Sequence, residues 1–421
     1  MLKPYLTIFV ISMIATSAKA EGLLDNVEFS GIFESEMATG IASGDAQKAE
    51  FTLLPEINLD LGKQSHLTVI GRLRGDLADE LAPGNNIDIE LREAFIDTEI
   101  GDTYLRIGKQ QVVWGQADGL KVLDILNPQS FREFILDDFE DSRIPLWMLN
   151  AEIPLGDAML QLLWIPDNTY DDIPQPDATF AFTSPQIVPH LPPGIPVDIT
   201  PPNRPGRILK NSDVGAKLSA FVGSWDLSLN YAYHYFDRPV VRREFSTTGV
   251  AVRQDYERTH LLGGTFSNVF GDFTLRGEVG YSSDRFFLTS DITDADGVIH
   301  SGEFSYVLGL DYMGWRDWFI STQIFQSIVT DAAAGLVRDK VDTSATLLVR
   351  RDFLNESLQA EVLLIQSINQ GDGVLQAAID YEWRSNLNLK IGADIFFGKS
   401  TGLFGQFKEQ DRVSIGFELG F

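Results

Sequence analysis

The 421-residue sequence contains no cysteine. A disulfide framework and a thiolate metal site are both excluded, so stability has to come from packing and backbone hydrogen bonding. Histidine is scarce: His66, His190, His234, His260 and His300 lie far apart, in no metal-ligating spacing. A hydrolase on a barrel rim would need a histidine beside a serine or aspartate, and His234 and His260, on adjacent strands, read as polar wall residues. No catalytic constellation and no cofactor motif is present, so an enzyme is not expected. Basic residues are outnumbered, 33 against 60 acidic ones, for a formal net charge of −27. Such a field repels nucleic acid and other polyanions and attracts cations. The longest apolar run is N-terminal: Lys3, then Tyr5 to Ile14, then the small residues Thr16 to Ala20. This predicts a secretory signal peptide over residues 1–20, since the run is shorter than the roughly 18 to 20 residues of a spanning helix. Its removal takes away Lys3 and Lys19 and makes the chain more acidic still.

What the sequence has in abundance is strict alternation of apolar and polar residues, the period of a strand with two unlike faces. Val413, Ile415, Phe417, Leu419 and Phe421 alternate with Ser414, Gly416, Glu418 and Gly420. Leu387 to Phe397 and Phe273 to Tyr281 repeat the pattern, with Lys390, Asp394, Arg276 and Glu278 on the polar parity. The alternation predicts about eighteen strands, near 27–39, 50–61, 65–78, 86–99, 103–110, 146–154, 158–165, 212–222, 225–236, 257–268, 272–284, 303–313, 317–330, 341–353, 357–369, 373–383, 387–397 and 411–421. Most reach the roughly 9 to 11 residues that cross a bilayer at a tilt.

The connections carry an independent signal. Tight turns such as Gly101-Asp102, Gly223-Ser224 and Arg384 to Asn386 alternate with longer polar loops. A transmembrane barrel has that asymmetry, whereas a soluble β-sandwich has no reason for it. Tyr312, Trp315, Trp318, Trp225, Trp383 and Phe421 fall near strand ends, as interfacial girdles do. The expected fold is all-β: one transmembrane antiparallel β-barrel over residues 21–421, of about eighteen strands, with sixteen possible.

The ending "VSIGFELGF" resembles the assembly signal of Gram-negative outer-membrane barrels, and the block "RIGKQQVVWGQADGLKVLDILNPQSFREF" resembles a poorly characterised family of large exported barrels, distantly similar to alginate-export and porin-type proteins. The resemblance implies an outer-membrane channel in contact with lipid, and assembly machinery that reads Phe421. It also implies a small-molecule solute and a periplasmic or inner-membrane partner of the RND transporter type. It supplies no catalytic residues.

Two long segments interrupt the strands. Residues 111–145 carry Leu120, Leu123 and Leu126, then Asn127-Pro128 as a cap, then Phe131, Phe134 and Ile135 at helical spacing. Two short amphipathic helices are expected, with Trp114-Gly115 as the bend and Asp118 opening the first. So much apolar surface needs a partner, and the barrel mouth is the nearest one; an external cap is the alternative. The proline-rich loop 166–211, extracellular on this reading, contains "PQIVPHLPPGIPVDITPPNRP" and is expected to run extended.

Arg72, Arg74, Arg92 and Arg106 share the polar parity of neighbouring strands with Asp76, Asp88 and Glu90. They form either a transverse field across a constriction or an ion-pair network in the wall. Phe319, Phe325 and Val329, with Leu363 and Ile365, point into the lumen, to line an apolar path or to pack against the in-folded loop. "ITDADGVIHSGE", residues 292–303, nearly matches a calcium loop but has Ile292 where an aspartate is needed and strands on its flanks, so an acidic hairpin loop is the better reading; "DDFED", residues 137–141, is a similar weak cation candidate. The expected function is passage of small hydrophobic or amphipathic molecules; the alternative is a surface protein whose loops bind a partner or divalent cations.

Overall fold

The computed structural model describes residues 26–78, 86–189, 194, 196–206, 208–247, 249–331 and 334–421. The expected signal peptide and His190 lie outside the described residues. The alternating runs become the strands of one closed sheet. Its first half is β1 (Val27–Gly40), β2 (Ala46–Asp60), β3 (Ser65–Asp76), β4 (Ile87–Ile100), β5 (Thr103–Gln110), β6 (Leu146–Leu155), β7 (Ala158–Ile165), β9 (Asp213–Val222) and β10 (Trp225–Tyr235). The second half is β13 (Arg258–Phe270), β14 (Phe273–Leu288), β15 (Val298–Tyr312), β16 (Trp318–Val329), β17 (Val341–Phe353), β18 (Leu358–Ser367), β19 (Asp372–Arg384), β20 (Leu387–Phe397) and β21 (Arg412–Gly420). These eighteen strands pair antiparallel with their chain neighbours, and β1 also pairs with β21, from Ile32 opposite Gly420 to Gly40 opposite Arg412. Phe421 completes the seam: its N–H donates to the Gly31 carbonyl at 3.0 Å and its carbonyl accepts from the Gly31 N–H at 2.9 Å. Closure leaves the sheet without an edge.

The two parities meet different surroundings. Ile89, Leu262, Ile391 and Ile415 stand on the outside, 71, 54, 56 and 61% exposed, an apolar band that water would penalise and lipid accepts. Asn230, Glu278, Ser321 and Gln323 point inward and are buried. Tight turns gather at the end where β1 begins and β21 finishes, and Gly101, Gly223 and Gly271 take left-handed φ of 63°, 65° and 62°, which two-residue hairpins require.

Three short strands lie outside the barrel. β8 (Val197–Ile199), β11 (Val240–Phe245) and β12 (Val250–Asp255) form a separate sheet, in which β8 runs parallel to β12. The proline-rich loop therefore does more than run extended.

Segment 111–145 corrects the sequence reading. In place of two amphipathic helices it has one helical turn, α1 (Phe139–Ser142), in otherwise irregular chain. The barrel wall and the loop's own side chains satisfy its backbone instead. Glu278 accepts from the Leu123 N–H at 3.0 Å, and Asn127 Oδ1 accepts from the Val112 N–H at 2.9 Å. Asn127 Nδ2 donates to the Ile144 carbonyl at 3.0 Å, so this residue ties the loop's base together. Backbone groups with such partners gain nothing further from a helical ladder.

Candidate functional site

The loop enters the lumen at the end of β5 and fills one side of it. Val112, Trp114, Leu123 and Leu126 pack on Leu146 and Met148 of β6, Leu163 and Ile165 of β7, Ala232 of β10 and Leu261 of β13. Glycines in the wall act as sockets. A Cβ at Gly215 would lie 2.9 Å from the Trp114 ring, and Cβ atoms at Gly263 and Gly280 would lie 2.5 and 3.1 Å from Leu123. The Trp114 indole N–H donates to Gln161 Oε1 at 2.8 Å.

Polar groups on β14 to β16 hold the next stretch. Glu278, 1% exposed, also accepts from the Gln116 N–H. Arg276 donates to the Gln116 carbonyl, to Asp118 and, at 2.9 Å, to Asp311. Gln323 Nε2 donates to Asp118 Oδ2 at 2.7 Å.

Beyond this anchor the chain crosses to the opposite wall. Phe134, at a φ of 59°, sets its ring 4.8 Å from that of Phe407, in a cluster with Phe180, Phe182, Phe396, Phe404 and Ile365. The lumen-facing Leu363 and Ile365 meet Leu120, Ile135 and Leu136 here. Both pack against the in-folded loop, and Leu363 also borders the cavity that the loop leaves open.

A buried ionic network fixes the same stretch. Glu133 receives Lys48 Nζ of β2 at 2.9 Å, Arg132 Nη2 at 2.8 Å and Arg412 Nη1 of β21 at 2.7 Å. Burial alone would raise its pKa, but the three cations outweigh that and hold the carboxyl well below the usual range. Lys48 also reaches Glu36 at 2.6 Å and Asp137 at 3.6 Å, Arg132 reaches Glu50 at 3.0 Å, and Arg412 reaches Asp394 at 2.8 Å.

The loop leaves a cavity of about 600 Å³ between itself and the arc of wall running from β17 through β21 to β1, β2 and β3. Arg72 and Arg74 line it, as does Asp118. Asp88 and Glu90 do not face it; they sit directly across the strand register and pair with the two arginines, Arg72 with Glu90 at 2.5 Å and Arg74 with Asp88 at 2.9 Å. Arg92 donates to the Glu140 carbonyl at 2.7 Å and bolts the helical turn to β4. Arg106 is engaged with Asp97 at 2.7 and 2.9 Å and lies over the Phe95 ring at 4.2 Å. The arginine series is thus chiefly a wall ion-pair network, only two of whose members border the cavity. Trp114, Phe131 and Phe134 back the loop, Phe131 beneath the Arg238 guanidinium at 4.3 Å. Phe325 is buried on β16, and Phe319 lies under Arg350 at 4.9 Å.

Sequence reasoning singled out the loop half of this cavity's acidic arc, residues 137–141, and missed the wall half. Glu34, Glu361, Asp380 and Glu418 on the wall face Asp137, Asp138 and Asp141 of the loop. Inward parity was the available signal for the wall groups, and "DDFED" for the loop. Burial, then Asp137, raises the Asp141 pKa against the pull of Arg92.

The calcium reading of residues 292–303 is overturned: Glu303, its required bidentate ligand, is held by Arg285 at 3.0 Å and Arg338 at 3.2 Å. Near the rim of β13 to β15, Ser283 donates to Asp284, and His300 Nε2 lies 2.9 Å from the same carboxylate. Asp284 thus stands between serine and histidine, the wrong order for an imidazole to activate the hydroxyl.

No curated protein matches the chain. Among solved structures it is similar to Pseudomonas aeruginosa OccK2 (OpdF), crystallised with glucuronate, at 11% identity and a TM-score of 0.55, covering 95% of this chain and 99% of that one. The outer membrane protein OpdK of the same species matches at 10% identity and a TM-score of 0.55, over 94% of this chain and 99% of that chain. Acinetobacter baumannii OccAB2 gives 11% identity and a TM-score of 0.55, over 95% and 99%. At such identity the likeness speaks for the fold, a closed antiparallel barrel of the Gram-negative outer-membrane porin type. The profile of one family matches residues 78–311, more than half of the sequence. This chain belongs to that family, described as "Protein of unknown function (DUF1302)".

Proposed function

We propose that the protein is a passive outer-membrane channel for small polar solutes, with a preference for cations. The observation that carries this reading is the charge of the cavity lining. Among the described residues that line it, eleven are carboxylates and six are basic. Each of the six basic groups already has a carboxylate within ion-pair distance: Lys48, Arg72, Arg74, Arg132, Lys390 and Arg412. Glu34, Asp138, Asp141 and Asp380 have no such cationic partner among the described residues. The unbalanced field in the path is therefore negative, and a narrow low-dielectric lumen focuses it.

A hydrophobic solute is less well supported, because of the five apolar lumen residues that suggested it only Leu363 borders the cavity, beside the loop it packs on. The glucuronate bound by OccK2 is an anion, and the carboxylate excess of the present lumen argues for a different cargo on the shared fold. Energised export would require a partner such as an RND-type transporter, since a barrel wall by itself couples to no energy source. Reversal potentials across planar bilayers in a salt gradient test the reading: cations should permeate better than anions. An absence of conductance, or a preference for anions, refutes it.

A further inference from the structure

We infer that Glu133 is the positioning residue of the constriction, setting both the width of the path and its preference for cations; this rests on the channel reading above. Its side chain is 5% exposed and touches three cations from separate places: Lys48 on β2, Arg412 on β21 and Arg132 beside it in the loop. Through them it is tied to Glu36 on β1, Glu50 on β2 and Asp394 on β20. One loop carboxylate thus closes a network spanning four consecutive wall strands, across the seam where the barrel's two ends meet.

The acidic run just C-terminal to Glu133 gives this contact its functional weight. Asp137, Asp138 and Asp141 all border the cavity. Lys48 binds both Glu133 and Asp137, at 2.9 and 3.6 Å, so the cation that receives the keystone also sets the phase of the acidic run. Phe134 holds the intervening turn with its ring in the aromatic cluster. Without the Glu133 charge, the buried cations gathered around it are undercompensated, an arrangement proteins tolerate poorly. Segment 130–141 then leaves the wall, the acidic run goes with it, and Lys48 and Arg412 face the open lumen. Pore width and pore charge change together.

The test is E133Q in the full chain, reconstituted in planar bilayers, with E133D as the conservative variant and R412Q as a break made from the wall side. The expected result is a larger single-channel conductance and a cation-to-anion permeability ratio shifted toward one in E133Q and R412Q, with E133D nearer the parent. A residue that merely stabilised the barrel would lower thermal stability and leave the permeability ratio in place. Because the chain has no cysteine, spin labels at D138C and Q376C report the distance from loop to wall. That distance should lengthen and broaden when E133Q is added. A folded E133Q protein with parental conductance, permeability ratio and label distance overturns the proposal. Should E133Q fail to fold, R412Q decides by the same three readouts. If the parent does not conduct, the channel reading fails on its own, and the label distance alone decides whether Glu133 holds the loop.

Discussion

Replacing Trp114 by alanine separates the barrel from the loop that half fills it. The indole is 1% exposed and lies on Gly215, whose missing side chain makes the socket. Truncating a buried tryptophan costs about 3–5 kcal/mol. The upper part of that range applies, because a wall of ladder-bonded backbone with a glycine at the contact cannot collapse into the space. Loss of the hydrogen bond from the indole to Gln161 adds about 1 kcal/mol. At 1.4 kcal/mol for each factor of ten, the ratio of docked to undocked loop falls by roughly a thousandfold or more. The seam between β1 and β21 is remote from this contact, so the barrel itself should persist and keep the mobility shift on heating that folded barrels show in gels. The assay is single-channel recording of W114A beside W114F, with limited proteolysis of segment 111–145. W114A should show frequent transitions to a larger conductance and cleavage within the segment, and W114F a weaker form of both. A folded W114A barrel with parental conductance and an intact loop would refute the reasoning, since the Trp114 contact would then contribute nothing to closure.

Other expectations concern the same elements. Gly263→Val places methyl groups where Leu123 now sits, an overpacking worth about 1–3 kcal/mol; loop cleavage by protease should increase as it does in W114A, though from the opposite steric cause. Cation preference should decline as pH falls, beginning above the ordinary aspartate range because burial and Asp137 raise Asp141, and reversal potentials against pH would show it. The stabilising contribution of Glu133, whose native pKa is depressed, is complete above its unfolded value and is lost progressively as pH falls from there through the lowered one; because Asp141 is raised instead, selectivity should begin to fade while the loop is still docked. Lys121 behaves oppositely: burial lowers it to about 8 from 10.5, so the penalty on its charged form is relieved as pH rises through that window, and protease resistance of the loop should rise with it. Deleting Phe421 removes both hydrogen bonds to Gly31, and slower appearance of heat-resistant barrel in a refolding time course is the expected result.

The barrel was legible because its determinant is local. Inward and outward parity is written into each strand, so the run from Val413 to Phe421 announces its two faces without knowledge of any neighbour. Strand ends were less exact where the register shifts. β14 and β15 continue past the expected limits to Leu288 and Val298, beyond the irregularity between Ser282 and Arg285. The loop was legible as an in-folded segment, through apolar surface that needed a partner, but not in its conformation. Leu120, Leu123 and Leu126 do have helical spacing, and what overrules it is Glu278, distant in the chain, together with Asn127 within the loop. The Glu133 network was hidden for the same reason: Lys48, Glu133 and Arg412 come from three distant parts of the sequence, and only the closed barrel brings them together. Arg72 and Arg74 reach the cavity as parity suggested, yet their partners are fixed by register, which composition does not report.

The uneven filling of the lumen divides the circumference into two kinds of wall. On the side of β6 to β14, inward positions are committed to the loop: Gly215, Gly263 and Gly280 each match one particular side chain, and a change in either partner must be answered in the other. On the side of β17 to β3 the Phe134 cluster and the Glu133 network also hold the loop, but between these contacts Glu34 and Asp380 face the cavity and can be exchanged without breaking an ion pair. Cargo preference can therefore drift at these cavity-facing positions while the glycine sockets on one arc, and the Glu133 network and the β1–β21 seam on the other, keep loop and barrel in place, which gives this architecture a route to new solutes that does not pass through an unfolded intermediate sequence.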